Sequence, residues 1–111
     1  MRRHEPVLLR EAVALLNCKS EGLYVDCTLG MGGHTESILR HTSPSGRVVA
    51  FDRDIEAIRF AEERFAEDQK RLKFVHADYR SLKHVWETSS LPPANGILAD
   101  LGPSMLQFTT P

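Results

Sequence analysis

Asp26-Cys27-Thr28-Leu29-Gly30-Met31-Gly32-Gly33-His34-Thr35 is the stretch that decides the fold. Leu23-Tyr24-Val25-Asp26-Cys27, introduced by Glu21-Gly22, overlaps its start and reads as a short buried strand. Gly30, Gly32 and Gly33 carry no Cβ, so the backbone can turn sharply there and a ligand can approach it closely. A short helix is predicted over residues 34–41, followed by a turn at Ser43-Pro44-Ser45-Gly46. Arg47-Val48-Val49-Ala50-Phe51-Asp52 then reads as a second strand. Strand, glycine turn, helix and strand make one right-handed βαβ unit, whose two strands are parallel.

The pattern repeats outward. Asp54 is placed to cap the next helix, whose buried face is Ile58, Ala61 and Phe65. Leu72-Lys73-Phe74-Val75-His76 is a third strand, a helix follows over about residues 81–87, and Ile97-Leu98-Ala99-Asp100-Leu101 is a fourth strand. On the N-terminal side, Leu8, Ala12, Leu15 and Leu16 share one helix face, with Pro6 at its start. The expected fold is α/β and Rossmann-like: four parallel strands with flanking helices, in a sheet left incomplete. Gly102 to Pro111 is read as a tail with no further strand, so residues 1–111 are expected to be the first half of a domain.

Composition narrows the class. The 111 residues are 41% apolar and 26% charged, with 14 basic and 15 acidic residues, which excludes fibrous and grossly disordered chains. The longest apolar run, Ala12-Val13-Ala14-Leu15-Leu16, is far short of the about 20 residues a membrane span needs. Met1-Arg2-Arg3-His4-Glu5-Pro6 lacks the apolar core of a signal peptide. Cys18 and Cys27 have neither CxxC nor zinc spacing, which points to free thiols in a reducing cytoplasm. A net charge of −1 offers no electrostatic argument for nucleic acid.

In open α/β sheets ligands bind beyond the carboxyl ends of the strands. The first strand here ends in the glycine loop and the second at Asp52, 20 residues after Gly32, where an acid can accept from both hydroxyls of a ribose. The third ends at His76-Ala77-Asp78-Tyr79 and the fourth at Asp100-Leu101-Gly102. Each has a plainer reading: Asp52 as an acceptor for backbone donors, Asp78 as an Asx-turn residue, Tyr79 and Trp86 as packing aromatics, His34 as a helix-terminus residue. Asp100 is the least comfortable as a bland residue, because it closes an apolar strand. The spacing Gly30-x-Gly32-x-x-Thr35 lacks the third glycine of a dinucleotide site, and GxxxxGK[ST] is absent. An adenosine without a pyrophosphate fits better, which points to S-adenosylmethionine.

His4-Glu5-Pro6-Val7-Leu8-Leu9, the glycine loop through Thr35, Phe51-Asp52-Arg53-Asp54 and Gly96-Ile97-Leu98-Ala99-Asp100-Leu101-Gly102 closely resemble the RsmH (MraW) family, and the resemblance runs from about His4 to Pro111. It implies a class I methyltransferase that uses S-adenosylmethionine to modify N4 of a cytosine in small-subunit (16S) ribosomal RNA, working in the cytoplasm on that RNA or the assembling subunit. It also implies that the remaining strands and an inserted helical domain lie beyond these residues. Carried over position by position, Gly32, Gly33 and His34 surround the methionine part of the cofactor, Asp52 takes the ribose, Tyr79 lies beside the adenine, and Asp100 and Gln107 complete the pocket. The family usually has phenylalanine at Tyr79 and a serine-rich turn where Pro103-Ser104-Met105-Leu106 stands.

The implied chemistry is attack of the cytosine amine on the methyl of a sulfonium, with Asp100 as catalytic acceptor for the amine hydrogens. No metal is implied. The competing reading is a non-catalytic module that keeps an adenosyl pocket without turnover, and the isolated chain is expected to be inactive.

Overall fold

A computed structural model describes residues 21–101 and 104–109, with side chains over residues 21–98. The helix face expected at Leu8 to Leu16, the basic residues Arg2 and Arg3, and Cys18 lie outside the described residues.

The elements follow the predicted order. Strand β1 (Leu23–Asp26) leads through the glycine loop into helix α1 (Gly33–His41), then β2 (Arg47–Asp52) and α2 (Ile55–Arg64). A 3-10 segment (Ala66–Arg71) precedes β3 (Leu72–His76), and a second (Tyr79–Ser81) precedes α3 (Leu82–Thr88). Strands β4 (Gly96–Leu101) and β5 (Ser104–Thr109) finish the sheet.

The strand order is β3-β2-β1-β4-β5. Strands β1 to β4 are parallel, as expected, and their order reverses between β1 and β4. The tail departs from expectation. Residues 104–109 form an antiparallel strand against β4, with Leu101 opposite Ser104 and Gly96 opposite Thr109. Two residues separate β4 from β5, too few for the crossover a parallel neighbour needs, so the strand returns as a hairpin. In the sequence, Met105-Leu106-Gln107-Phe108-Thr109 after Gly102-Pro103 carried a strand signal.

Alternation along the central strands feeds two cores. Tyr24, Val48, Ala50 and Leu98 face α1 and α2, packing with Ile38, Leu39, Ile58, Ala61 and Phe65. Leu23, Val25, Cys27, Val49 and Phe51 occupy the other face, against Leu82, Val85 and Trp86 of α3. Burial on both faces explains why β1 and β2 read as unbroken apolar runs. Strand β3, at the sheet edge, is half-buried at Leu72, Phe74 and Val75 and exposed at Lys73 and His76.

Local chemistry sets the helix ends. Asp54 Oδ1 accepts from the Glu56 amide at 2.9 Å, the cap expected for α2. Arg71, in the 3-10 segment before β3, clasps the far end of α1. Its guanidinium donates to the carbonyls of Gly46 (2.7 Å) and Leu39 (2.6 Å) and to Thr42 Oγ1 (3.1 Å), satisfying acceptors at a helix C-terminus.

Phe65 is 5% exposed and ends α2 in the first core. Phe65→Ala is expected to lower stability by about 3–5 kcal/mol, read as a reduced urea midpoint at unchanged slope.

Candidate functional site at the strand ends

Beyond the C-terminal ends of β1, β2 and β3 lies an open cleft of about 370 Å³. Cys27 and Thr28 line it from the first strand end, Asp52 and Arg53 from the second, and Ala77, Asp78, Tyr79 and Arg80 from the third. Two residues expected from the sequence, Asp52 and Tyr79, are therefore brought to one cavity. Tyr79 is 38% exposed, more than a packing role requires.

Asp52 holds the cleft together. Its Oδ2 accepts from the Gly30 amide at 2.9 Å and its Oδ1 from the Asp54 amide at 2.8 Å. The first bond ties the glycine loop to β2, and the second shapes the turn into α2. A carboxylate offers about four acceptor sites, so these two bonds leave capacity for the hydroxyl donors of a ligand.

The glycine loop is built by conformation more than by exposure. Gly30 and Gly32 have φ of 51° and 88°, the left-handed region that side chains avoid. A Cβ on Gly32 would also lie 2.9 Å from the Phe65 ring. The Gly32 amide donates to the Leu29 carbonyl at 2.8 Å, while Leu29 donates to Phe51 at 2.8 Å. Gly32 thus serves the turn itself. Gly33 opens α1 and is half-buried, and His34 is 6% exposed in the first turn. None of these three residues is among those that line the cleft. Asp100 lies in β4 opposite Met105, and Gln107 in β5 opposite Leu98; their side chains lie outside the described residues.

Charge in the cleft centres on Asp78. Arg80 grips it as a fork, Nε to Oδ1 at 3.2 Å and a terminal nitrogen to Oδ2 at 3.1 Å, while Arg53 approaches within 3.7 Å. The Arg80 amide also donates to Asp78 Oδ1 at 2.9 Å, the Asx turn that the sequence left open as an alternative. Hydrogen bonds from the Arg80 side chain and backbone, with the nearby guanidinium charges, hold the Asp78 carboxyl below its usual value. Burial, and secondly the charge of Asp26, push the Cys27 thiol up to about 12. Cys27 is therefore a neutral wall of the cleft rather than a nucleophile. Among the described residues no group of three or more His, Cys, Asp or Glu gathers as a metal site would require.

The sequence matches the MraW methylase family over residues 1–111. The chain belongs to that family. Its relatives include ribosomal RNA small subunit methyltransferase H of Clostridioides difficile (strain 630), 42% identical over 105 residues, covering 95% of this chain and 34% of the relative. The protein of the same name from Halothermothrix orenii is 40% identical over 111 residues, covering 100% of this chain and 35% of the relative. The chain thus spans about a third of the length of the curated relatives it matches. The fold is shared with a SAM-dependent O-methyltransferase of Thermotoga maritima (TM-score 0.69, 17% identity, covering 91% of this chain and 37% of that one). It is shared also with TrmN of Thermus thermophilus (TM-score 0.71, 24% identity, covering 89% and 29%).

In this MraW-family chain, sequence spacing alone passes over Thr28, Arg53 and Arg80, since each sits beside a more conspicuous residue. Asp26 and Thr35 are passed over as well, Thr35 being noted only for the glycine it replaces. The available signal was an acid at the end of an apolar strand with a hydroxyl residue nine positions on.

Asp78 is expected to titrate below the 3.8 of an ordinary aspartate, keeping its ion pairs until the pH falls through that lowered value. Carboxyl NMR checks this, and Arg80→Ala moves the midpoint back up.

Proposed function

We propose that this chain is the N-terminal, cofactor-binding part of a methyltransferase that uses S-adenosylmethionine to modify N4 of a cytosine in small-subunit ribosomal RNA. The family and the names of the relatives support methyl transfer to ribosomal RNA. The observation that carries the reading is Asp52, tethered at the end of β2 with acceptor capacity left, in one cleft with the exposed ring of Tyr79. That donor and acceptor set fits an adenosine. Asp52 takes the ribose hydroxyls and Tyr79 lies against the adenine, with the Asp78 carboxylate beside it. Gly32, Gly33 and His34 border the methionine part, and Asp100 and Gln107 complete the pocket from β4 and β5.

The cofactor supplies an electrophilic methyl on a sulfonium. The chain's contribution is alignment, and positioning of reactants can supply about 7–11 kcal/mol of a barrier. The cytosine amine is a poor nucleophile because its lone pair is delocalised into the ring. Asp100, with the carbonyls of Leu101 or Gly102, accepts the amine hydrogens and so frees that lone pair. The base reaches the pocket unpaired or flipped out of its stack. The partner is small-subunit ribosomal RNA or the assembling subunit, in the cytoplasm. Among the described residues no helix is long and apolar enough to cross a membrane.

The competing reading, a module that binds the adenosyl group without turnover, draws on the chain's span of about a third of its relatives. We assign binding to these 111 residues and turnover to the longer protein. Methylation of small-subunit particles by the isolated chain would overturn that division.

Asp52→Ala is expected to weaken S-adenosylmethionine binding by about tenfold or more, the equivalent of at least one hydrogen bond to a charged group. Calorimetric titration checks it, and affinity equal to wild type removes the ribose assignment. Tyr79→Phe should bind as wild type while Tyr79→Ala loses roughly five- to tenfold, since the ring face rather than the hydroxyl does the packing.

A further inference from the structure

Asp26 is fully buried (0% exposed) at the end of β1, between Ala50 of β2 and Leu98 of β4. A carboxylate in such a place is costly unless donors face it. Its Oδ2 accepts from the Thr35 hydroxyl at 2.8 Å and its Oδ1 from the Thr28 amide at 3.2 Å. Those donors flank the glycine loop: Thr28 where the chain leaves β1, Thr35 in the first turn of α1. One carboxylate therefore holds both ends of the loop, while Asp52 holds its middle at Gly30. Thr35, also 0% exposed, stands where a dinucleotide site has its third glycine. There the missing side chain would permit close helix–strand contact; here a hydrogen bond joins the same helix and strand. Asp26 and Thr35 are not among the residues that line the cleft.

Resting on the reading that this loop holds the cofactor, we propose that Asp26 and Thr35 are positioning residues. The pair fixes the spacing between the end of β1 and the start of α1, and so sets cofactor affinity without touching the cofactor. If packing alone mattered, an apolar isostere at Thr35 would serve as well.

The test compares wild type, Thr35→Val, Thr35→Ser and Asp26→Asn in the full 111-residue chain. Calorimetry reads S-adenosylmethionine affinity. Amide hydrogen exchange without ligand reads the loop at Gly32 and Glu36, whose amides donate to Leu29 and Gly32. Thr35→Val, nearly isosteric, should weaken affinity about tenfold, the effect of one charge-assisted hydrogen bond, and speed exchange at both amides. Thr35→Ser should restore both readouts, which a purely structural role for the methyl would not. Asp26→Asn, which turns an N–H2 against one of the donors, should behave as Thr35→Val and stands in for it if that variant does not fold. Wild-type affinity and exchange in Thr35→Val, or a serine variant as impaired as the valine one, overturns the proposal. If wild type itself binds no S-adenosylmethionine, the functional reading falls and the exchange arm alone decides the latch: faster exchange rescued by serine supports it, unchanged exchange overturns it.

Discussion

The bond from the Gly30 amide to Asp52 Oδ2, at 2.9 Å, ties the glycine loop to the second strand, and the rest of the site is arranged around it. A loop with two residues at positive φ has many conformations open to it in an unfolded chain. Holding one of them takes fixed acceptors, and the strand ends supply these. The Phe51 carbonyl takes the Leu29 amide and the Asp52 carboxylate takes Gly30. On the other side of Asp52 the Asp54 amide is bound, so the same side chain shapes the start of α2. One group thereby joins the first and second βα turns and faces the cleft they enclose.

The sheet makes this economical. Its order reverses between β1 and β4; on one side β1 and β2 end in Asp26 and Asp52, and on the other Asp100 is the next-to-last residue of β4. Mid-strand, a charged group would enter one of two apolar cores; at the strand ends Asp52 reaches the cleft, while the buried Asp26 is met by donors from Thr28 and Thr35. The third strand end differs in kind. Asp78 is gripped by Arg80 and approached by Arg53, so that wall of the cleft is an ion cluster anchored on an Asx turn. It is exposed, and in water such pairs contribute little to stability; its contribution is to give the cleft a fixed polar wall.

Much of this was legible along the chain. The α2 face of Ile58, Ala61 and Phe65 follows from helical spacing, and all three are buried. The Asp54 cap follows from its place before that helix. Asp52 and Tyr79 follow from their positions at strand ends, and they meet in one cleft. The β5 hairpin was less legible, because three preceding βα units set an expectation of crossovers and the tail looked like a loop. Arg71 was opaque for another reason. Its acceptors, Leu39, Thr42 and Gly46, lie 32, 29 and 25 residues away, and no local pattern announces so distant a clasp.

Sequence by itself determined the α/β class, the four parallel strands, the strand-end candidates and the family, because periodicity and motif spacing are local properties of the chain. Tertiary structure alone decided which strand ends share a cavity, that the fifth strand runs antiparallel, and that Asp26 and Thr35 are partners. Those depend on distances across the sheet, where residues far apart in sequence come within hydrogen-bonding reach. The glycine loop shows the division most clearly: its composition announces a close turn, but only the packed strands and Phe65 show what holds that turn in place and that Asp52 stands in the cleft.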